Sequence, residues 1–304
     1  MIHRYRQSGI LVESALPLPE WSRFYDPPSA DVGEIAEATI EVAVQPMRPT
    51  GLPDGTVSAG HGWVRFDVEG VGRWLIAEGR RIVVEPSPAS DRRNLRLFTL
   101  GLAWAVLGNQ RGWLMAHGSA VRRTGSGKAV LLTGASGQGK STSAAALVAD
   151  GWSLLADDVC RFEPAGQRGT VIHPSATFLK LWSGAVETLG WADRVTMRDY
   201  YRTDKFLCRP PEPFAAPDGP VPLRSVVVLE WADDVSLQRL RGVDAVAHVL
   251  SAACYRPQVM DALNAWPQQT AAWLGVLGET PVYRLRRPKD WTGMTAMTTL
   301  LGQL

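Results

Sequence analysis

The sequence predicts an α/β fold with a small β-rich N-terminal region, on three observations. Apolar and polar residues alternate with period two in parts of residues 1–90, with Gly, Pro and Asp between the runs. Beyond residue 90, apolar residues recur at helical spacing in several stretches. Between those stretches, an apolar strand, a glycine-rich loop and an alanine-rich helix follow one another directly over residues 129–148.

Within the N-terminal region, alternation marks strands at 62–68 and 73–77, and a further strand at 80–86 is stopped by Pro86. Residues 91–111 then read as helix, with Leu95, Phe98, Leu102 and Val106 on one face and Gly112 at the end. A strand over 113–121, a glycine-rich turn at 124–127 and a second strand at 128–132 form a hairpin pattern. After the loop, a helix is expected over 140–150 and a short strand over 152–156, ending at Asp157 and Asp158. A buried strand is expected at 223–230, helices at 243–253 and 257–277, a last strand at 281–285, and a C-terminal helix. The segment 208–222 holds 6 prolines and suits a flexible flap or insertion. These patterns divide the chain into a β-rich region, 1–90, and a larger domain, 91–304.

Composition excludes several classes. The hydrophobic fraction of 45% and charged fraction of 20% support a sizeable core in 304 residues. A net charge of +2 is too small to imply a nucleic-acid partner. The densest basic run, 284–289, reads as a solvated strand end rather than an anion site. Cys160, Cys208 and Cys254 stand far apart, which argues against a disulfide framework or a zinc site and fits a reducing compartment. No signal peptide is legible, and the apolar stretch at 98–107 is too short to span a bilayer, so no membrane partner and a cytoplasmic location are expected. Of the 12 tryptophans, Trp104, Trp113, Trp152 and Trp182 read as core.

The chemistry is concentrated in one motif. Gly134, Ala135, Ser136, Gly137, Gln138, Gly139, Lys140 and Ser141 match G-x-x-x-x-G-K-[ST] in full. Such a loop turns its backbone N–H groups around phosphates. Lys140 is placed to reach the β and γ oxygens, and the Ser141 hydroxyl to help hold Mg²⁺. The following helix, opening with Thr142, points its N-terminus at the anion. The expected ligands are therefore ATP and Mg²⁺.

Two further features accompany it. Asp157 and Asp158 alone could be a turn with a helix cap. One helix after a P-loop, they instead suit a Mg²⁺ ligand and a general base. His117 lies on the strand that pairs with the P-loop strand, and is either a satisfied core residue or an orienter of one acid.

The order His117-Gly118, the loop from Gly134 through Thr142, and Leu155-Ala-Asp157-Asp158 resembles the catalytic core of bacterial HPr kinase/phosphorylase. The match looks closest to HPr-kinase-related proteins found beside peptide-modification genes. It covers roughly residues 111–162 and continues more loosely through Phe178-Leu-Lys180-Leu-Trp182 and Asp204-Lys205-Phe206. The resemblance implies the P-loop fold shared with phosphoenolpyruvate carboxykinase. It further implies that one of Asp157 and Asp158 acts as base on a serine hydroxyl with His117 bonded to it, Asp158 being favoured, while the other, Asp157, holds Mg²⁺ with Ser141. Lys205 becomes a candidate phosphate clamp. Thr142 stands where the family carries glutamate, and that family's glycine-rich segment after the acids is not found. The expectation is thus kinase chemistry on an acceptor other than HPr, without phosphorylase activity. A serine of a peptide or protein, such as a lasso-peptide precursor, is the expected partner.

Two other readings stay open at this point: a nucleotide-dependent switch or ATPase partnering a peptide-carrier protein, and a kinase for free serine. Related enzymes assemble into hexamers, which leaves a homo-oligomer open, though no segment of this chain reads as an interface.

Overall fold

Alternating apolar residues build the first unit from seven strands: β1 (His3–Gln7), β2 (Ile10–Ser14), β3 (Ile40–Val44), β4 (Val57–Gly60), β5 (Trp63–Val68), β6 (Gly72–Ala77) and β7 (Arg81–Pro86). They form one sheet in the order β1-β2-β3-β7-β6-β5-β4. The buried face carries every second residue, among them Ile40 and Val42, Val64 and Phe66, Trp74 and Ile76. The computed structural model describes residues 1–26, 39–48, 56–199, 203–211, 219–254 and 256–304.

Helices α1 (Arg92–Phe98) and α2 (Trp104–Gln110), joined through a π turn at Thr99–Ala103, belong to this same unit. Asp91 caps α1 by accepting from the Arg93 amide. The helices are tied to the sheet through Trp74, whose ring stacks on Phe66 at 5.2 Å and meets Phe98 at 5.5 Å. Its indole N–H donates to Thr99 Oγ1 at 3.0 Å. Because these helices complete the sheet's core, the first unit runs from Met1 to Leu114, not to residue 90, and it also takes in Arg256–Gln269.

The second unit comprises Met115–Tyr255 and Thr270–Leu304. Its strands begin with β8 (Leu114–Arg123) and β9 (Ala129–Thr133), the antiparallel hairpin expected from the pattern. Helix α3 (Lys140–Ala149) follows, and then β10 (Trp152–Pro164). Here the structure corrects the sequence reading, which ends the strand before the acids. Val159, Cys160 and Phe162 stay buried beyond them, and Phe162 pairs with Ile172 of β11 (Thr170–Ile172), so β10 runs straight through Asp157 and Asp158.

Next come β12 (Leu179–Trp182), α4 (Ser183–Thr188), β13 (Val195–Arg198) and β14 (Lys205–Cys208), whose strands form a separate three-stranded sheet, β12-β14-β13. The chain returns as β15 (Val221–Trp231), β16 (Ser236–Leu240), α5 (Gly242–Ala253), α6 (Pro257–Ala262), α7 (Trp266–Glu279), β17 (Val282–Arg287) and α8 (Met294–Gly302). Of the proline-rich segment, residues 212–218 lie outside the described residues.

The main sheet has the order β11-β10-β8-β9-β15-β17-β16, and β11 also pairs with β15. At its centre β9, β15 and β17 run parallel. Residues 129–132 of β9 and 226–229 of β15 are apolar and buried throughout, as suits a sheet covered on both faces, while β17 buries Val282, Leu285 and Arg287. Val130, Leu132, Val227 and Leu285 share one core with Leu147 of α3 and with Met297 and Leu301 of α8. Leu179 and Leu181 of β12 enter that same core, which fixes the small sheet against α3 and brings Lys180 to the site. Among the described residues no helix is long and apolar enough to cross a membrane.

Candidate functional site

The site begins where β9 ends. Gly134, Gly137 and Gly139 have φ of 150°, 87° and 78°, a path closed to most side chains. At Gly134 a Cβ would lie 2.9 Å from the Leu229 carbonyl oxygen, so the loop can leave the sheet here only as glycine. Ala135, Ser136 and Gly137 form an exposed crest, with Gln138 partly covered behind them. Gly139 is the N-cap of α3 and offers no side chain to its first-turn N–H groups. Those donors remain for an anion. Thr142 sits half-buried in that first turn.

Lys140 is only 8% exposed. Its ammonium donates to the carbonyls of Gly134 at 2.8 Å and Ala135 at 3.0 Å, folding back over the loop. Burial pushes its pKa down, Asp158 and Asp157 push it up, and Lys205 pushes it down again. Lys205 is therefore close enough to be felt by the loop lysine. Its own ammonium lies over the Trp182 ring, 5.4 Å from the centroid. Trp182 is 46% exposed, so it is not core as the sequence suggests.

The acids come from mid-strand, and their geometry is unusual. Neighbours in a regular strand project to opposite faces. Asp158, however, has φ of 75°, a left-handed conformation that breaks the alternation. Both carboxylates consequently reach Lys180: its backbone N–H donates to Asp157 Oδ2 at 3.2 Å, and its Nζ lies 3.3 Å from Asp158 Oδ2.

Two hydroxyls fix the other side of Asp157. Its Oδ1 accepts from Ser141 Oγ at 2.8 Å and from Ser119 Oγ at 2.6 Å. Ser119 and His117 are two apart on β8 and so share a face. His117 Nδ1 lies 3.0 Å from the Asp158 carbonyl oxygen and 3.4 Å from its Oδ1. Because a carbonyl only accepts, Nδ1 carries the proton. Burial opposes ionisation of Asp158, but the Lys180 ammonium and the His117 contact outweigh it and hold the carboxyl well below the usual range. Cys160, two residues further along the strand, is pushed the opposite way by burial and by both acids, so it is an inert thiol.

The structure thus places His117, the loop from Gly134 to Ser141, Asp157 and Asp158 in one cluster, with Thr142 and Lys205 at its margin. Ser119 and Lys180 join it without having been singled out. Ser119 could have been found from its two-residue step beyond His117, whereas Lys180 lies only in the looser extension of the resemblance, with no role given to it there. The Ser141 hydroxyl and Asp157 carboxylate form an oxygen pair at hydrogen-bond distance, the donor type that Mg²⁺ takes beside phosphates. Among the described residues no group of three His, Cys, Asp or Glu side chains could hold a metal alone.

No protein-family model matches the chain, and neither does any curated protein. Among solved structures, one similar chain is the Hpr(Ser) kinase/phosphatase from Coxiella burnetii. The two are 14% identical, the match covers 62% of this chain and 94% of that one, and the TM-score is 0.32.

Proposed function

We propose that this chain is an ATP- and Mg²⁺-dependent kinase that transfers the γ-phosphoryl group to a serine hydroxyl of a peptide or protein. One observation carries the reading: the P-loop serine is hydrogen-bonded to an acid whose neighbour is held by a histidine and a lysine. A phosphate grip and a hydroxyl-orienting carboxylate therefore stand side by side.

In this mechanism the loop amides and Lys140 hold the β and γ phosphates, with Lys140 exchanging its two carbonyl partners for phosphate oxygens. Ser141 and Asp157 would hold Mg²⁺, which supplies charge neutralisation along the phosphate chain. Asp158 accepts a hydrogen bond from the acceptor serine and aims its oxygen in line with the scissile bond. The serine Oγ–Pγ bond forms as the bond from Pγ to the β,γ-bridging oxygen breaks, and ADP leaves with that electron pair. The serine proton passes to Asp158.

A carboxylate held this far into its ionised form is a weak base, yet that suits the chemistry. In a loose transition state the nucleophile loses its proton late, when its oxygen has become strongly acidic. Orientation is the larger task. His117 and Lys180 perform it by holding Asp158 from two sides.

The test is phosphate transfer from γ-labelled ATP with Mg²⁺ to peptides bearing a terminal serine, to HPr and to free serine in parallel, with Lys140→Ala as control. Label in a peptide or protein, lost in the control, supports the proposal. Label only in free serine makes the chain a metabolite kinase. Inorganic phosphate alone makes it a nucleotide-driven switch.

A further inference from the structure

The basic run at 284–289 reads as a solvated strand end, yet Arg287, the last residue of β17, is 2% exposed. Its guanidinium lies over the Trp231 ring at 4.4 Å from the centroid. Nη2 donates to Ser143 Oγ in the first turn of α3 at 3.2 Å, and Nη1 to the Pro288 carbonyl at 2.9 Å. Nε has no hydrogen-bond partner among the described residues. No carboxylate among them pairs with Arg287. Asp290, whose charge it feels, is exposed and already takes the Thr292 amide and hydroxyl.

Such an arrangement is costly, because a buried cation ordinarily has a carboxylate beside it. Burial does push the guanidinium pKa down to about 10, which still leaves it charged at neutral pH. What stands next to it is the phosphate loop. A Cβ on Gly139 would collide with Nη2 and lie 3.0 Å from Trp231, so the guanidinium packs directly against the loop at Gly139. The loop's own cation, Lys140, is held differently, by the Gly134 and Ala135 carbonyls.

We infer that Arg287 is a polyphosphate-binding determinant that acts through the loop: its charge stabilises the phosphates of a nucleoside di- or triphosphate without touching them. The bound phosphates in turn supply the counter-charge that the buried guanidinium lacks. Attraction through a thin layer of low-dielectric protein is screened far less than attraction across water. This inference rests on the nucleotide reading above and extends it to a residue outside the motif.

Because the effect is electrostatic, it scales with ligand charge, which a purely structural role does not. Calorimetric titration with AMP, ADP and ATP separates the two, using the wild type, Arg287→Met and Arg287→Lys. For Arg287→Met the expected loss is about tenfold for ATP, smaller for ADP and smallest for AMP, with Arg287→Lys recovering most of it. An equal loss for all three nucleotides, or none, overturns the inference while leaving nucleotide binding intact. A wild type that binds none of them overturns the nucleotide reading and this inference with it. Should the methionine variant not fold, Arg287→Gln removes the charge but keeps a donor toward Ser143.

Discussion

Ser141 Oγ donates to Asp157 Oδ1 at 2.8 Å, which ties the first turn of the P-loop helix to the middle of strand β10. Ser119 on the neighbouring strand donates to the same oxygen at 2.6 Å. A carboxylate oxygen that takes two hydroxyl protons has its orientation set by two separate elements, before any ligand arrives. The adjoining acid, Asp158, shares none of these contacts and is held by His117 and Lys180 instead. Two chemically identical neighbours are thereby given different surroundings, and the proposed mechanism gives them different roles on that ground.

Asp157→Asn tests the metal side. The amide keeps an oxygen for the two serines but loses the charge that a divalent cation needs. The Mg²⁺ concentration for half-maximal phosphate transfer should rise about tenfold or more, in the range seen for perturbed metal sites. Transfer rates measured across a Mg²⁺ titration check this, and an unchanged midpoint removes Asp157 from the metal.

Asp158→Asn tests the acceptor side. Nucleotide affinity should stay within about twofold, because Asp158 makes no hydrogen bond to the loop, while transfer to the peptide falls by at least ~10²-fold. Calorimetric ATP binding beside a transfer assay reads both quantities. A variant that transfers at the normal rate rules out Asp158 as the residue that orients the hydroxyl.

Much of this site was legible before the fold was known, and the reason is local. The P-loop is continuous in sequence, with its glycines at positions whose φ of 87° and 78° exclude most other residues, so spacing alone carries it. The pairing of β8 with β9 is a short-range hairpin and was equally readable. The acids were found, but the strand through them was not. Two adjacent charges in an apolar run look like a terminus, and only the pairing of Phe162 with Ile172 shows that the strand continues. Lys180 arrives from a different sheet, positioned by Leu179 and Leu181 in a core assembled from distant segments. Arg287 misled in the opposite direction, since a guanidinium in a basic run looks solvated until α3 and Trp231 close over it.

Lys140→Ala removes the positive charge that the kinase proposal assigns to the migrating group. Transfer should fall by at least ~10²-fold, comparable to the loss of one positioned electrostatic stabiliser. The lysine also holds the Gly134 and Ala135 carbonyls, so thermal unfolding should be measured alongside to separate charge from scaffold. A folded variant with wild-type transfer would end the kinase proposal.

Gly139→Ala should be destabilising in the absence of any ligand. The residue sits at φ of 78°, and the new methyl group would collide with Arg287 Nη2 and crowd Trp231. A left-handed alanine alone costs roughly 1–3 kcal/mol, and displacing a packed guanidinium adds to it. Chemical denaturation of the variant should show a lower midpoint with an unchanged slope, together with weaker ATP binding. Wild-type values for both would mean that the loop is not braced by Arg287 and Trp231.

His173 links stability to pH at a place remote from the P-loop along the chain. Its side chain is buried against β10, with Nε2 at 2.8 Å from Glu163 Oε2 and Arg161 nearby. Burial pushes its pKa down, Arg161 adds to this, and Glu163 opposes both without reversing the direction. A histidine whose folded pKa lies below the unfolded value of about 6.5 resists protonation only while folded. Protonation therefore favours the unfolded chain. The stability from neutral His173 is fully present above about pH 6.5 and is lost as pH falls through that value toward the folded pKa. Melting temperature should then drop between roughly pH 7 and pH 5, and His173→Gln should flatten that part of the profile. A wild-type melting temperature that rises on acidification through the same window would mean that the Glu163 contact dominates and that His173 is charged in the folded protein.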